Sequence, residues 1–517
     1  MEEDNKFLRP YVMGTSIGMA EGITPVRGLE SAVNWGSPVV QLEGSPAMVG
    51  RTGLQVIKEL AKHNKVKLTW HSPPSKDWEL AVPDKDTNEL ASRQYDLLLE
   101  AAKASGTELI NTHVTYAIPR LTDDKVLIYD VDEKQLGLPR LPSGFREAVE
   151  KAETPEEVKK IKQEFIDQLN KEKVTGVRQQ LMYHERLANR SEQEKKEIDG
   201  IITSIKNYPE MAKSKFLTEL TPYKLEVMRL ARQVLGESVD IEKEEDRKKV
   251  VEKLEDAKKK AEEEFKAEKE RADFLTESYG DRLKTGVFYS DGFEATVQNF
   301  ADNLAPIVDK AMKKGIKFTV ENSDSRFAFS TPEEIMPALD ALYKKLRELG
   351  HSENEIKQYV GYCFDSGHAN TIAGLKVGGK TVEPPLEQMK QVTDKYPLMY
   401  VHYSENFGDV DAHMPVGEGT KEGEEYDKKL KELQKFLAEK DFKGDMIHEI
   451  GNLGGLGYRI SLQRAAPGIE YSPSGVLTEG FSSPSFSYVA GAENVDPLLM
   501  EKPNYFYGSW ASGMFLP

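Results

Sequence analysis

The chain has 517 residues, 38% hydrophobic and 30% charged, with a formal net charge of −17. It can bury a full core, and its net charge argues against indiscriminate nucleic-acid binding, which gathers lysine and arginine on one surface, although much of the charge sits in one helical segment and says little about the field at a distant cleft. No apolar run approaches the ~20 residues of a membrane span and MEEDNKFLRP has no apolar signal core, so the expectation is a cytoplasmic protein without membrane contact.

From the N-terminus, short β-rich runs alternate with amphipathic helical runs. Residues 11–18, 38–45, 65–72 and 107–114 read as strands, and GLESAVNWG, LQVIKELAKH and NELASRQYDLLLEAAKASG as the helices between them. A charged tract interrupts this rhythm. It resumes with the helix FEATVQNFADNLAPIVDKAMKKG, the strand 316–323 and the helix TPEEIMPALDALYKKLRELG with a threonine N-cap. YVGYCFDS, LEQMKQVTDKY, PLMYVHYS, EYDKKLKELQKFLAEKDF and GDMIHEIG carry the alternation to an eighth strand. Parallel strands need helical crossovers, so eight such units predict an α/β (β/α)8 TIM barrel; a doubly wound sheet would not require eight.

The expected organisation is a first half-barrel over 8–119, a helical insertion after strand 4 over 120–286, a second half-barrel over 287–460, and a tail over 461–517. In the insertion, Val250, Leu254, Ala257, Ala261 and Phe265 fall near three-four spacing, and FREAVEKAETPEEVKKIKQEFIDQLNK offers an antiparallel partner, so a coiled-coil hairpin is predicted. Loops after barrel strands lie on the catalytic face. The insertion therefore reads as a lid, a clamp, or a contact for a second copy or another protein, with a solvated spacer as the alternative. The aromatic tail is expected to pack on the barrel or a neighbouring subunit. The single cysteine, Cys363, excludes an internal disulfide and reads as a packing residue.

The strand assignment sends an unusual set of side chains to one rim. His71, His113, His368 and His402 fall at strand C-terminal ends, together with Glu321, Asp365, the pair Asp411 and His413, and Glu449. Any one of them alone is more often hydrogen-bonded scaffolding than a ligand. Together they are five imidazoles and four carboxylates, more than one ion can use, which implies a polynuclear cluster of zinc, manganese or iron. Ions about 3.5–4 Å apart can share a hydroxide nucleophile and stabilise both oxygens of a phosphodiester displacement. Glu321 and Asp365 are candidate bridging carboxylates. His448, next to Glu449 in a strand, points the other way and reads as packing.

Two stretches carry a resemblance to a known family. YCFDSGHANTIAG resembles the Asp-Thr-x-His-Ala motif of the endonuclease IV family of apurinic/apyrimidinic endonucleases, within the xylose-isomerase-like barrel superfamily. DVDAHMPVGEG resembles that family's Asp-Arg-His followed by Ile-Gly-Glu-Gly. The resemblance covers about 8–119 and 287–455. It implies up to three zinc ions: His71 and His113 on one, bridged by Glu321 to a second that also takes Asp365, His402 and Glu449, with His368, Asp411 and His413 on the third. It further implies Glu449 and Glu321 as catalytic carboxylates and DNA containing abasic sites as substrate, cut 5′ to the lesion. The family's His-Pro-Gly, the tyrosine after the strand 3 histidine, and Asn-Asp-Ser-Lys are replaced here by HVTY, HSPPSKDW and HYSENFG. These departures touch the surfaces that would grip DNA. Arg27, Arg51, Arg459 and Arg464 are expected in rim loops as phosphate contacts. Two alternatives stand beside hydrolysis. One is a sugar isomerase or epimerase of the same superfamily, using only Glu321, Asp365, His402 and Glu449. The other is a metal-stabilised scaffold with a partner-binding insertion.

Overall fold

The computed structural model describes residues 12–17, 25–34, 37–120, 125–152, 154–213, 243–377, 380–407, 410–414 and 432–449, with 225, 229 and 232. The first half-barrel runs β1 (Val12–Ile17), α1 (Pro25–Asn34), β2 (Val39–Glu43), α2 (Gly50–Asn64), β3 (Lys67–His71), α3 (Lys85–Ser105) and β4 (Leu109–His113). Local chemistry places the boundaries: the Asp84 carboxylate accepts the Thr87 N–H at the start of α3, and Gly106 ends it at φ 80°. A Cβ on Gly14 of β1 would collide with the Val39 carbonyl, so only glycine allows these neighbours their spacing.

The interruption begins after β4. β5 (Ile128–Asp130) pairs antiparallel with β6 (Gln135–Gly137) and with β7 (Tyr289–Asp291), making a small sheet at the root of the insertion. Residues 289–291, read with the second half-barrel in the sequence, belong to this sheet. Beyond it stand α4 (Ser143–Lys151), the long α5 (Pro155–Lys213) and α6 (Glu244–Thr285). Ile198, Ile202 and Ile205 of α5 pack on Val250 and Leu254 of α6. Lys195–Glu262, Asp199–Lys258 and Lys206–Glu255 bridge the same seam at 2.9, 2.6 and 3.1 Å, so numbers rise along one helix as they fall along the other. The predicted antiparallel hairpin is present, but α6 meets the later part of α5 rather than the stretch from Phe145 that was offered as its partner. The reason is length: α5 continues as one helix far past that stretch. Asn170 pins the root, its Oδ1 accepting the Phe288 and Tyr289 N–H groups at 2.7 Å each.

α7 (Gly292–Lys313), β8 (Lys317–Glu321), α8 (Pro332–Glu348), α9 (Glu353–Tyr359), β9 (Val360–Asp365) and α10 (Ser366–Ile372) follow. Then come the two-residue strands β10 (Lys376–Val377) and β11 (Lys380–Thr381), α11 (Pro385–Thr393), β12 (Leu398–Tyr403), the ribbon β13 (Glu405–Phe407) and β14 (Val410–Met414), a helical stretch over 432–439, and β15 (Asp445–His448). Eight strands, all parallel to their neighbours, close in the order β1, β15, β12, β9, β8, β4, β3, β2, so the predicted TIM barrel is observed.

Phe300, Leu304 and Val308 of α7 and Leu339, Leu342 and Leu346 of α8 are fully buried against the sheet. Inside the barrel, Val39, Leu109, Cys363, Tyr400 and Ile447 pack as one apolar layer, which is where the cysteine was expected to serve. Below that layer the Lys67 ammonium lies 2.5 Å from the Asp445 carboxylate. Among the described residues no helix is long and apolar enough to cross a membrane.

Candidate metal centre

Parallel register sets the height of the rim residues. His71, His113, Glu321 and Asp365 are each the last residue of a strand, His402 is the last but one of β12, and Glu449 follows β15 directly. His113 pairs in register with Glu321, and His402 with Asp365, so these side chains enter the mouth at one level. Asp365 then turns the chain: its Oδ1 accepts the His368 N–H at 2.7 Å, capping α10 and bringing His368 over the same mouth.

Glu321 is the hub. Its Oε2 lies 3.0 Å from His71 Nε2 and 3.3 Å from His113 Nε2, and it also accepts the Asn111 amide. Its Oε1 lies 2.9 Å from His402 Nδ1 and 3.5 Å from His368 Nδ1. His402 Nδ1 is also 2.8 Å from Glu449 Oε2 and 3.6 Å from Asp365 Oδ2. His413, at φ 46° in the left-handed region, places Nδ1 3.8 Å from Glu449 Oε2. The rings of His71, His113, His368 and His413 follow one another with centroids 5.3–5.5 Å apart, and His402 lies 5.7 Å from His71.

Eight of the nine expected ligands are therefore gathered. The ninth, Asp411, has its backbone in β14, while its side chain lies outside the described residues. Arg459 and Arg464 also lie outside them. Arg27 and Arg51 stand in the first turns of α1 and α2 and are exposed, which corrects their assignment to loops. Each helix simply starts a few residues sooner than its apolar periodicity suggests.

These groups fit a cation. Three carboxylates crowd one imidazole nitrogen, which can carry a single proton, and Asp365 Oδ2 and Glu449 Oε2 are buried without a well-formed hydrogen bond among the described residues. Burial pushes the Glu321 carboxyl up, but His402 and His113 outweigh it and hold the pKa well below the ordinary range. Glu449 is likewise depressed against its burial, by His402 and His413. The tautomers suit ligation as well. His71 Nδ1–H donates to the Ser72 carbonyl at 2.6 Å and His368 Nδ1–H to the Asn322 carbonyl at 2.9 Å, so Nε2 is the nitrogen each neutral ring would offer a cation.

Two sets have ligand atoms all within 4.8 Å of one another and could hold ions: Glu321, Asp365, His402 and Glu449, and His71, His113 and Glu321. Cys363 approaches Glu321 and His402 as closely, but burial pushes its thiol well up, which suits a neutral packing residue. His448 is fully buried with its ring 5.0 Å from Tyr403, as its strand position predicted.

The sequence reading missed Gln41, Asn111 and Asn322. Gln41 Oε1 lies 2.8 Å from His402 Nε2. Asn111 donates to Glu321 and accepts from the Thr319 hydroxyl at 2.7 Å. Asn322 Oδ1 accepts the Asp365 N–H at 2.9 Å, and its Nδ2 donates to the Asp365 carbonyl at 3.0 Å. A signal existed for one of them: Asn111 stands two residues before His113, on the inward face of its strand.

Solved structures that resemble the chain include three sugar epimerases or epimerase-like proteins. A D-tagatose 3-epimerase-like protein has 12% identity and TM-score 0.42, over 88% of this chain and 96% of that one. D-Psicose 3-epimerase from Clostridium cellulolyticum H10 has 11% and 0.41, over 87% and 89%. 3-Keto-D-glucoside 4-epimerase from E. coli has 10% and 0.41, over 88% and 98%. No curated protein matches the chain in sequence. Residues 272–467, which contain Glu321, Asp365, His368, His402, Asp411, His413 and Glu449, match the xylose isomerase-like TIM barrel family, a grouping broader than endonuclease IV.

Proposed function

We propose that the chain is a divalent-metal enzyme that moves a proton beside the carbonyl of a small sugar, as an isomerase or epimerase. The observation that carries this reading is the convergence of Glu321, Asp365, His402 and Glu449 with their ligand atoms within 4.8 Å of one another. It is a compact set for such chemistry: an aspartate and a histidine to hold one ion, and two glutamates whose carboxylates can also take and return a proton. Bound zinc, manganese or iron would supply polarisation of the substrate carbonyl. Glu449 is the side chain with access to the mouth, at 16% exposure against 0% for Glu321. It is therefore our candidate for the group that takes the proton from carbon. His71, His113 and His368, all buried, wall the site from bulk water.

A second reading, hydrolysis of a phosphodiester in DNA containing abasic sites, is favoured by a separate observation. His71 and His113 face Oε2 of Glu321 while His402 faces Oε1, so one carboxylate serves two ligand groups, as a bridge between ions would.

One experiment separates the two. Metal is counted per chain on undenatured protein. Solvent deuterium uptake into a panel of ketoses and aldoses is followed beside incision of duplex DNA carrying one abasic site, each with Glu449→Gln and chelated controls. Deuterium uptake lost in both controls, without incision, is the expected result. Incision by protein carrying two or three ions would replace the first reading with the second. Inactivity of folded, fully metallated protein in both assays would overturn both.

A further inference from the structure

We infer that Gln41 is a positioning residue that selects the tautomer of His402, and so presents Nδ1 to the metal. This rests on the metal reading above and is independent of which reaction the site performs.

Gln41 sits in the middle of β2, fully buried, and its amide oxygen lies 2.8 Å from His402 Nε2. β2 and β12 are separated in the ring by β1 and β15, so this contact crosses the barrel interior beneath the cluster. For His71 and His368 the corresponding partner is a backbone carbonyl, which can only accept and so leaves one neutral tautomer. His402 has a side-chain amide instead, and an amide is two-faced. With Oε1 toward the ring it accepts the Nε2 proton and frees the Nδ1 lone pair, which faces Glu321, Asp365 and Glu449. Turned over, the amide would donate to Nε2, and the ring proton would sit on Nδ1 among those carboxylates. The arrangement present is the first. Gln41 Nε2 is buried and makes no hydrogen bond among the described residues, where the bond of Oε1 to His402 is the one this amide makes.

A buried amide N–H group without an acceptor among the described residues is destabilising, and a methionine or leucine would fill the same space without it. Orientation of a ligand explains why an amide is there. An acceptor on the far nitrogen fixes ring orientation and raises the basicity of the ligating one.

The test uses full-length protein and zinc alone. Zinc dissociation constants are measured by chelator competition for the wild type, Gln41→Met and Gln41→Glu, and imidazole 15N spectra are recorded for the zinc-loaded wild type. Gln41→Met, close in volume but without an acceptor, is expected to weaken zinc binding ~10–100-fold. Gln41→Glu still accepts and is expected to bind at least as tightly as wild type. The spectra should show His402 coordinated through Nδ1 and protonated on Nε2. A folded Gln41→Met with the wild-type constant, a Gln41→Glu weakened as much as Gln41→Met, or coordination through Nε2 would each overturn the inference. If Gln41→Met fails to fold, Gln41→Glu and the wild-type spectra decide alone. Wild-type protein that binds no zinc would overturn the metal reading, and this inference with it.

Discussion

Asn322, next to the hub glutamate, holds two candidate ligands without being one. It brackets the Asp365 backbone with both ends of its amide, and its own carbonyl accepts from His368 Nδ1. Asn322→Ala strands buried backbone groups, so a loss of ~2 kcal/mol in urea unfolding is expected, with weakened metal binding in a titration. At the opposite end of the barrel, Lys67→Met leaves the Asp445 carboxylate buried and unpaired, with an expected loss of ~2–3 kcal/mol near neutral pH. Burial raises the Asp445 pKa against the pull of Lys67, so this group's favourable contribution is present at low pH and is lost as pH rises through the folded pKa. The Lys67→Met deficit should therefore shrink on acidification, as read from unfolding midpoints at several pH values. Much of the site is legible at this scale because the chain has only nine histidines and several of them fall at strand ends beside an acid. Gln41 and Asn322 were not legible as site residues. An amide within a strand, like Gln41, or just after one, like Asn322, looks the same whether or not it serves a site, and only the neighbours it meets in the folded barrel distinguish the cases.

Helices and strands were legible wherever apolar period and end signals agreed. Glu334 accepts the Ser330 and Thr331 N–H groups at 3.0 and 3.4 Å, closing the start of α8 where the threonine was read as a cap. The hairpin shows what period alone leaves open. Val250, Leu254 and Ala261 are buried as their spacing predicted, but which residues face them depends on how far the other helix extends before the chain returns. The hairpin seam and the barrel core are separate apolar clusters. Leu254→Ala should then weaken the hairpin by ~2–3 kcal/mol while leaving the barrel intact. Amide exchange should speed up around 195–208 and 248–262 and stay unchanged in the barrel strands. Faster exchange in β8 or β9 would show the two cores to be coupled.

For the molecule as a whole, the cluster concentrates negative charge that folding must gather at one point. A cation that binds only the folded chain stabilises it by ~4 kcal/mol at a concentration a thousand times its dissociation constant. Chelator dialysis should lower the thermal midpoint, and adding back zinc or manganese should restore it in a concentration-dependent way. An unchanged midpoint would mean that the carboxylates are tolerated without a cation. By itself the sequence determined the barrel, because eight alternations of strand and helix have few other ways to bury both faces of parallel strands. It also determined that the acids and histidines would stand on one rim, because every parallel strand ends on the same side. Only the tertiary structure decided which oxygen of Glu321 serves which histidine, that Gln41 lies under His402, and where α6 meets α5. Those facts depend on the closing order and register of the strands and on the length of a helix, which bring together residues hundreds of positions apart.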